Sequence, residues 1–525
     1  MSIRIIFIII AVIVLATGCD WVERSSVSTG GVQGNGPSIE PAVSDDGQIV
    51  AFASIADNLV VGDTNGAQDI FVRDHAASTT TRVSVASDGT EGNGGAYRPA
   101  LSDDGRYVVF HASSTNLVVG DTNGVWDVFR HDRVTGETIR VSTATDGTEA
   151  NANAEWAAVD GDGSVVAFMS GADNLVAGDT NRSVDVFTHH VKSGVTSRVS
   201  LDESGVELAG DSLYPSIADS GEKIAFLTDV AAVAGDLNGT SDAYVVEPSI
   251  GGVVQATAGN VDDGHLNAPM ISGNGEHLVF VTDNPHFFLD SNGLPDVYRV
   301  ELSGAFVKII SSYRVGAAND LGSFGPTISD DGLEVSMRTT EAKLPEDTDG
   351  TWDVYVSITD PNGGFDFPVW ILADMDRFNQ FDGDSVVGGA DISGDGRFLA
   401  FSTDSDNIVP GDSNGWPDIV NRTIVTPADL TAHPTNPTIT PGATEVLRFE
   451  GKVIDPGANI YIYAANGLSI DGIVHTSMSE IEVTITADPA APVGPRTFVV
   501  ENLAPAWSGD AWSGDLCSGC VVVAP

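Results

Sequence analysis

The segment "GDTNGAQDIF", which begins at Gly62, returns six more times along the chain. The copies are "GDTNGVWDVF" at Gly120, "GDTNRSVDVF" at Gly178, "GDLNGTSDAY" at Gly235, "LDSNGLPDVY" at Leu289, "EDTDGTWDVY" at Glu346 and "GDSNGWPDIV" at Gly411. Their first aspartates, Asp63, Asp121, Asp179, Asp236, Asp290, Asp347 and Asp412, are 58, 58, 57, 54, 57 and 65 residues apart. A period of that size holds one four-stranded sheet, so the repeat dictates an architecture of stacked or ringed units. In the second copy the four strands read as "YRPALS", "RYVVFHAS", "WDVFRHD" and "TIRVSTA", apolar and β-branched runs bounded by turn residues. The first two are joined by "SDDG" at residues 102–105, where Asp-Gly tolerates the positive φ of a hairpin turn. Each copy is therefore one propeller blade.

The seventh copy stops after its third strand, "DIVNRTIV", where the composition changes. Its missing fourth strand lies at the other end: shifted by 58 residues, "RSSVSTGGVQGNGPSIEPAVS" at Arg24 falls on "RVSVASDGTEGNGGAYRPALS" at Arg82. A strand at about residues 23–29 is thus expected to pair into blade seven and close the ring, removing the open edges that a linear array would expose. The expected fold is all-β, a seven-bladed β-propeller over residues 22–426 followed by a small second domain. The 58 glycines and 24 prolines, with few helix-length amphipathic runs, agree with a loop-rich β protein, and 525 residues exceed what a single core usually supports.

The blades resemble the TolB-type, WD40-like propeller repeats of bacterial cell-envelope proteins, which carry a Ser-Pro-Asp-Gly turn before an "IAF"-like strand. Here the turns read "SDDGQIVAF" at Ser44, "SDDGRYVVF" at Ser102, "DGDGSVVAF" at Asp160, "ADSGEKIAF" at Ala218, "SGNGEHLVF" at Ser272, "SDDGLEVSM" at Ser329 and "SGDGRFLAF" at Ser393, all without the proline. TolB engages its partners through an additional N-terminal domain that these repeats do not supply, so no role in a Tol complex is carried over.

Residues 1–18 read as a secretory signal, with Arg4, an apolar core and a small-residue end. The ending "LATGC" resembles the lipobox of bacterial lipoproteins, which implies cleavage before Cys19 and lipidation there; an ordinary signal cut nearby is the alternative. Asp20 resembles an inner-membrane retention signal that other bacteria read differently, which leaves the membrane open. The expected location is the bacterial cell envelope, by lipid anchor. The remaining cysteines, Cys517 and Cys520 in "CSGC", lack the further ligands a zinc site needs and are expected as a small disulfide or free thiols.

After the Pro/Thr-rich junction at Pro427, "EVLRFEGKV", "NIYIYAA", "EIEVTITA" and "RTFVVEN" alternate apolar and polar residues as half-buried strands of a sandwich do. Residues 427–505 resemble the IPT/TIG-type immunoglobulin-like modules of bacterial surface proteins, commonly spacers or adhesion elements. The low-complexity run "WSGDAWSGDLCSGC" opens a tail over 506–525.

Because strands alternate in direction, the loops joining strands two and three share a face with the loops between blades, giving a ring of carboxylates. Each repeated loop alternates oxygen donors before a glycine, as a calcium-binding EF-hand does, but begins one donor late. The candidate ligands are Asp63, Asn65 and Asp69; Asp121, Asn123 and Asp127; Asp179, Asn181 and Asp185; Asp236, Asn238 and Asp242; Asp290, Asn292 and Asp296; Asp347, Asp349 and Asp353; and Asp412, Asn414 and Asp418. About four donors fall short of the six to eight oxygens calcium takes, so waters or an upstream side chain such as Asn58 would complete the shell. The competing reading is structural: Asn-Gly favours a turn, and each Asp can bond backbone amides. Copy six carries the most individual loop, "DMDRFNQFDGD" at residues 374–384. Trp126, Trp352 and Trp416 lie inside the motif, where they stack on a ligand or pack on neighbouring blades.

With 74 acidic against 24 basic residues, a net charge of -50, the chain repels nucleic acid. No G-x-S-x-G, H-E-x-x-H or P-loop is present, and the one adjacent histidine pair, His189-His190, sits at a strand exit. The expected function is a lipid-anchored scaffold binding an envelope protein or glycan, with calcium as a candidate stabiliser and no catalytic residues assigned. A propeller hydrolase or lyase acting on polysaccharide or peptide is the alternative, and a channel lined by clustered His, Arg and carboxylates would be its mark.

Overall fold

The computed structural model describes residues 22–237, 239–257, 267–283, 294–303, 306–311, 322–340, 352–359, 369–372, 385–406, 408–409 and 411–424, together with strand backbones between 431 and 523. All regular structure among them is β-strand. Six blades follow in chain order, each an antiparallel sheet in sequential strand order. Blade 1 is Ser38–Val43, Ile49–Ser54, Asp69–Asp74 and Thr79–Arg82; blade 2 is Ala96–Leu101, Tyr107–Ala112, Asp127–Asp132 and Thr138–Arg140; blade 3 is Ala154–Val159, Val165–Ser170, Asp185–His190 and Val195–Arg198. Blade 4 is Ser212–Ile217, Ile224–Thr228, Asp242–Glu247 and Gly252–Gln255; blade 5 is Asn267–Ile271, His277–Thr282, Asp296–Glu301 and Phe306–Ile309; blade 6 is Ser323–Ile328, Glu334–Thr339, Asp353–Ile358 and Val369–Leu372.

Blade 7 is assembled from both ends of this unit. Ser385–Ile392, Phe398–Thr403 and Asp418–Thr423 take the first three places, and Val22–Arg24 takes the fourth, with Val22, Glu23 and Arg24 opposite Arg422, Asn421 and Val420. The expected closure is therefore present. Ser26 extends it: its Oγ donates to Asp418 Oδ1 at 2.5 Å and accepts the Ile419 amide at 3.1 Å.

The second and third strands of each blade are mostly buried on both faces because both faces meet neighbouring blades. Cross-strand aromatic pairs mark this layer, Phe52 with Phe71 at 5.9 Å, Phe110 with Phe129 at 6.0 Å, Phe168 with Phe187 at 5.8 Å and Phe280 with Tyr298 at 5.9 Å between ring centroids. Such pairs contribute about 0.5–1.5 kcal/mol each beyond burial. The core is divided into clusters that each join two adjacent blades, and the cluster of Val50, Phe52, Phe71, Ala400 and Ile419 fastens blade 7 to blade 1.

The hairpin turns between strands one and two form a further ring. The Asp45 amide donates to Asp103 O at 3.0 Å, Asp103 to Gly161 O at 3.0 Å, Gly161 to Asp219 O at 3.1 Å and Asp219 to Gly273 O at 3.0 Å. The ring is so close that glycine is required: Gly105 has φ +63° and a Cβ there would fall 2.7 Å from Ile49 Cβ of blade 1.

The chain divides into two compact units, 22–424 and a second that includes 425–525. The second contains two four-stranded sheets. Thr431–His433, Thr444–Glu450, Glu480–Ala487 and Leu468–Ser477 form one, and Thr438–Ile439, Gly514–Val523, Gly494–Glu501 and Asn459–Tyr463 the other, in those orders. The strand Gly514–Val523 places the backbone of Cys517 and Cys520 inside a sheet, within the segment read above as a tail; their side chains lie outside the described residues, as does all of residues 1–21 with Cys19.

Candidate functional site

The loops between strands two and three do meet the loops between blades. In blade 1, Asn65 folds the loop as an Asx turn, its Oδ1 accepting the Ala67 amide at 2.7 Å while Nδ2 donates to Asp69 Oδ2 at 2.9 Å and Gly92 O at 3.0 Å. Asp69 Oδ1 accepts from Ser84 Oγ at 2.5 Å. Glu91, from the loop leading to blade 2, accepts the Thr64 amide at 2.8 Å and its hydroxyl at 2.7 Å.

A guanidinium sits among these carboxylates. Arg82 Nη1 is 3.3 Å from Asp63, 3.3 Å from Asp69 and 2.5 Å from Glu91. Blade 2 repeats this with Arg140 at 3.3, 3.3 and 2.7 Å from Asp121, Asp127 and Glu149, and blade 3 with Arg198 at 3.6, 3.4 and 2.6 Å from Asp179, Asp185 and Glu207. In blade 7, Arg24 lies 3.0 Å from both Asp412 and Asp418, and Gln33 stands where the glutamate would, its Nε2 2.6 Å from Asp412. The oxygens of Asp63, Asp69 and Glu91, and of Asp179, Asp185 and Glu207, lie within 4.8 Å of one another, close enough to share a metal ion. Burial and the adjacent Asp69 push Asp63 up to about 6, and burial with Asp185 does the same to Asp179. Burial opposes ionisation of Glu91, but hydrogen bonds from Thr64 and Arg82 outweigh it and bring the group down to about 2.

Blades 4, 5 and 6 lack the arginine. The strand register puts Gln255, Ile309 and Leu372 opposite Tyr244, Tyr298 and Tyr355, where Arg82 stands opposite Phe71 in blade 1. Asp236 Oδ2 accepts from the Tyr244 hydroxyl at 2.6 Å, Asp242 Oδ1 accepts from Thr257 Oγ1, and Asp296 Oδ1 accepts from Ser311 Oγ at 2.5 Å. Asp353 is buried. Asn238, Asp290, Asn292, Asp347, Asp349 and the loop 374–384 lie outside the described residues.

The tryptophans of the motif divide by environment. Trp126 packs on Tyr97 at 5.4 Å and His111 at 5.5 Å, and Trp352 on Phe324 at 5.9 Å, each of these pairs lying within one blade. Trp416 is 49% exposed.

Sequence periodicity gives no hint of a second arrangement, on the innermost strands. Each of these strands has a bulge, and at the bulge Glu40, Arg98, Trp156 and Tyr214 of blades 1 to 4 hold left-handed conformations with φ between 51° and 56°. The equivalent positions of blades 5 to 7, counted from the register, are Ala268, Gly325 and Gly389. The four large side chains form an arc of contacts across the innermost strands of blades 1 to 4. The Arg98 amide donates to Glu40 Oε2 at 2.9 Å, the Arg98 guanidinium lies 3.4 Å from the Trp156 ring centroid, and Trp156 meets Tyr214 edge-on at 4.5 Å. The Arg98 side chain is 43% exposed although its strand is the innermost of the blade.

At the turn end of the channel a third feature appears. The second residues of the seven hairpin turns are Asp45, Asp103, Gly161, Asp219, Gly273, Asp330 and Gly394. The aspartates occupy the space a side chain on the glycines would need: a Cβ on Gly161 would fall 2.2 Å from Asp103, one on Gly273 2.2 Å from Asp219, and one on Gly394 2.4 Å from Asp330 and Asp45. Burial and mutual repulsion push Asp45 up to about 6, Asp103 to about 7 and Asp330 to about 8. The alternation of Asp and Gly in the "SDDG" turns is the sequence signal for this quartet.

No innermost strand carries a histidine. His189 is buried against Thr196 Oγ1 at 2.9 Å and its neighbour His190 is exposed. Burial also lowers His111, His131 and His189 to about 4, which keeps them neutral packing groups.

No family model matches the chain, and no curated protein matches it. Solved structures do. A TolB protein from Agrobacterium tumefaciens is 15% identical, with 66% of this chain and 94% of that chain covered at a TM-score of 0.34. The RRP9 WD40 repeats are 12% identical over 77% and 97%, with a TM-score of 0.39. Porphyromonas gingivalis dipeptidyl peptidase 4 is 13% identical over 78% of this chain and 57% of that one, at 0.36.

Proposed function

We propose that this chain is a non-enzymatic, lipid-anchored scaffold of the bacterial cell envelope whose propeller channel binds glycan. The observation that carries the reading is the strained arc of Glu40, Arg98, Trp156 and Tyr214. A non-glycine residue in a left-handed conformation costs about 1–3 kcal/mol, and such strain gathers where a ligand must be met. Here it recurs at one level in four successive blades and brings an acid, a base and two aromatic rings into mutual contact on the innermost strands. Aromatic faces suit the C–H faces of sugars, while Arg98 and Glu40 supply a donor and an acceptor for hydroxyl or carboxylate groups. In blades 5 to 7 the same position is held by the small residues Ala268, Gly325 and Gly389.

In this reading the lipid on Cys19 supplies the membrane attachment, residues 427–505 act as an immunoglobulin-like spacer, and the net charge of -50 keeps nucleic acid away. The test is binding of purified envelope polysaccharides to the full chain and to its Trp156→Ala and Arg98→Ala variants. Each variant should weaken glycan binding ~10-fold or more, a loss of about 1.4 kcal/mol or greater. Glycan binding unchanged in both variants, or capture of only an envelope protein, would overturn the channel as a glycan site.

A further inference from the structure

We propose that the strand two to three loop of blade 4 binds a divalent cation, with calcium the best match, in the position that a guanidinium occupies in blades 1, 2, 3 and 7. This is independent of the channel reading. The blades share one buried aspartate at the start of the third strand, and its two oxygens have separate duties. In blade 1, Asp69 Oδ1 takes the Ser84 hydroxyl, while Oδ2 faces Asn65 at 2.9 Å and Arg82 at 3.3 Å. In blade 4, Asp242 keeps the first duty through Thr257, while Gln255 stands in the register of Arg82 and Asn238, the counterpart of Asn65, lies outside the described residues. Asp242 is 0% exposed and its Oδ2 has no hydrogen-bond partner among the described residues. A fully buried carboxylate oxygen without a donor is a costly arrangement that a cation relieves.

The residue in the arginine's register is Gln255, and its Nε2 is likewise buried without a partner among the described residues. Turning the amide about its terminal bond presents Oε1 in place of Nε2, which makes Gln255 a neutral oxygen donor where blade 1 has a cation. Asp236, 4% exposed and held at Oδ2 by the Tyr244 hydroxyl, supplies the second carboxylate. Two carboxylates and an amide oxygen are a hard, all-oxygen set of the kind calcium accepts. Three protein donors leave the rest of the shell to water, so the affinity belongs in the ~10⁻⁴–10⁻³ M range of extracellular modules.

The experiment compares the full chain with Gln255→Arg and Asp242→Asn. Calcium binding is measured by calorimetry after chelation, and thermal unfolding is followed with calcium at ~1–10 mM and with chelator. The wild type should bind calcium and melt higher in its presence. Gln255→Arg installs the guanidinium that the sister blades tolerate, so it should fold, lose the calcium-dependent rise in Tm and weaken calcium binding at least ~10-fold. Asp242→Asn should lose both as well. A calcium response that is the same in Gln255→Arg and wild type, or one that is absent from the wild type, would overturn the proposal.

Discussion

The carboxylates of the loop face and those of the turn face solve the same problem in opposite ways. On the loop face, Asp63, Asp69 and Glu91 and their counterparts in blades 2 and 3 gather around an arginine. On the turn face, Asp45, Asp103, Asp219 and Asp330 converge, and burial first and then neighbouring aspartates push each of them up. An acidic protein can therefore close a ring either by importing a counter-ion from its own fourth strand or by holding protons. Blade 4 stands between the two, with the loop-face carboxylates but not the arginine.

The largest test of this contrast removes the built-in counter-ion. Arg140→Leu leaves Asp121 and Asp127 with buried carboxylates beside the part-exposed Glu149 and no counter-charge, so unfolding by denaturant should show a loss of about 3–5 kcal/mol. Gln255→Leu in blade 4, measured in chelator, removes an amide that has no partner at Nε2 and should cost under about 1 kcal/mol. Equal losses would mean that the arginine is a packing residue rather than the centre of its carboxylate group.

The ring itself was legible in the sequence because the repeat is strict, and the 58-residue offset that lays Arg24 on Arg82 also places Val22–Arg24 in blade 7. The turn was legible too, since Asn65 makes the Asx bond that Asn-Gly implies. The arginine was not, because a motif confined to the loop excludes a residue that joins it from another strand, 13 positions beyond Asp69. Its signal was present as Arg24, Arg82, Arg140 and Arg198 at the repeat spacing, giving way to Gln255 in blade 4. The channel arc had no such signal. One different residue per blade produces no periodicity, and only the backbone conformation marks Glu40, Arg98, Trp156 and Tyr214 as a set.

A smaller effect separates what the blades share from what divides them. Ser142 Oγ donates to Asp127 Oδ1 at 2.6 Å and accepts the Val128 amide at 3.1 Å, and Thr257 Oγ1 does the same for Asp242 and the Ala243 amide, the latter at 3.2 Å. Ser142→Ala and Thr257→Val each strand a buried amide and a buried carboxylate oxygen, so each should cost about 1–3 kcal/mol. The two losses should agree, with or without an arginine in the blade. A cost confined to blade 2 would make the hydroxyl part of the arginine cluster instead of a latch common to the ring.

The smallest expected effect concerns the turn face and depends on pH. Unfolded, these carboxyl groups titrate near the ordinary value of about 4. Folded, Asp103 is pushed up to about 7 and Asp330 to about 8, first by burial and then by the other aspartates. The folded state thus binds their protons more tightly, and the stability they contribute is complete below about pH 4 and lost as pH rises through 7 and 8. Asp330→Asn removes one negative charge from the quartet while keeping the side-chain volume. It should stabilise the propeller by about 1 kcal/mol at pH 8, a discounted figure because Asp330 is part-exposed and solvent screens the repulsion, and the gain should vanish toward pH 4. The same substitution at Asp127, whose Oδ2 is 3.3 Å from Arg140, should destabilise at pH 8. Opposite signs at the two sites are what distinguish carboxylates held together by protons from carboxylates held together by a guanidinium; a loss at both would show that Asp330 is also held by an attraction.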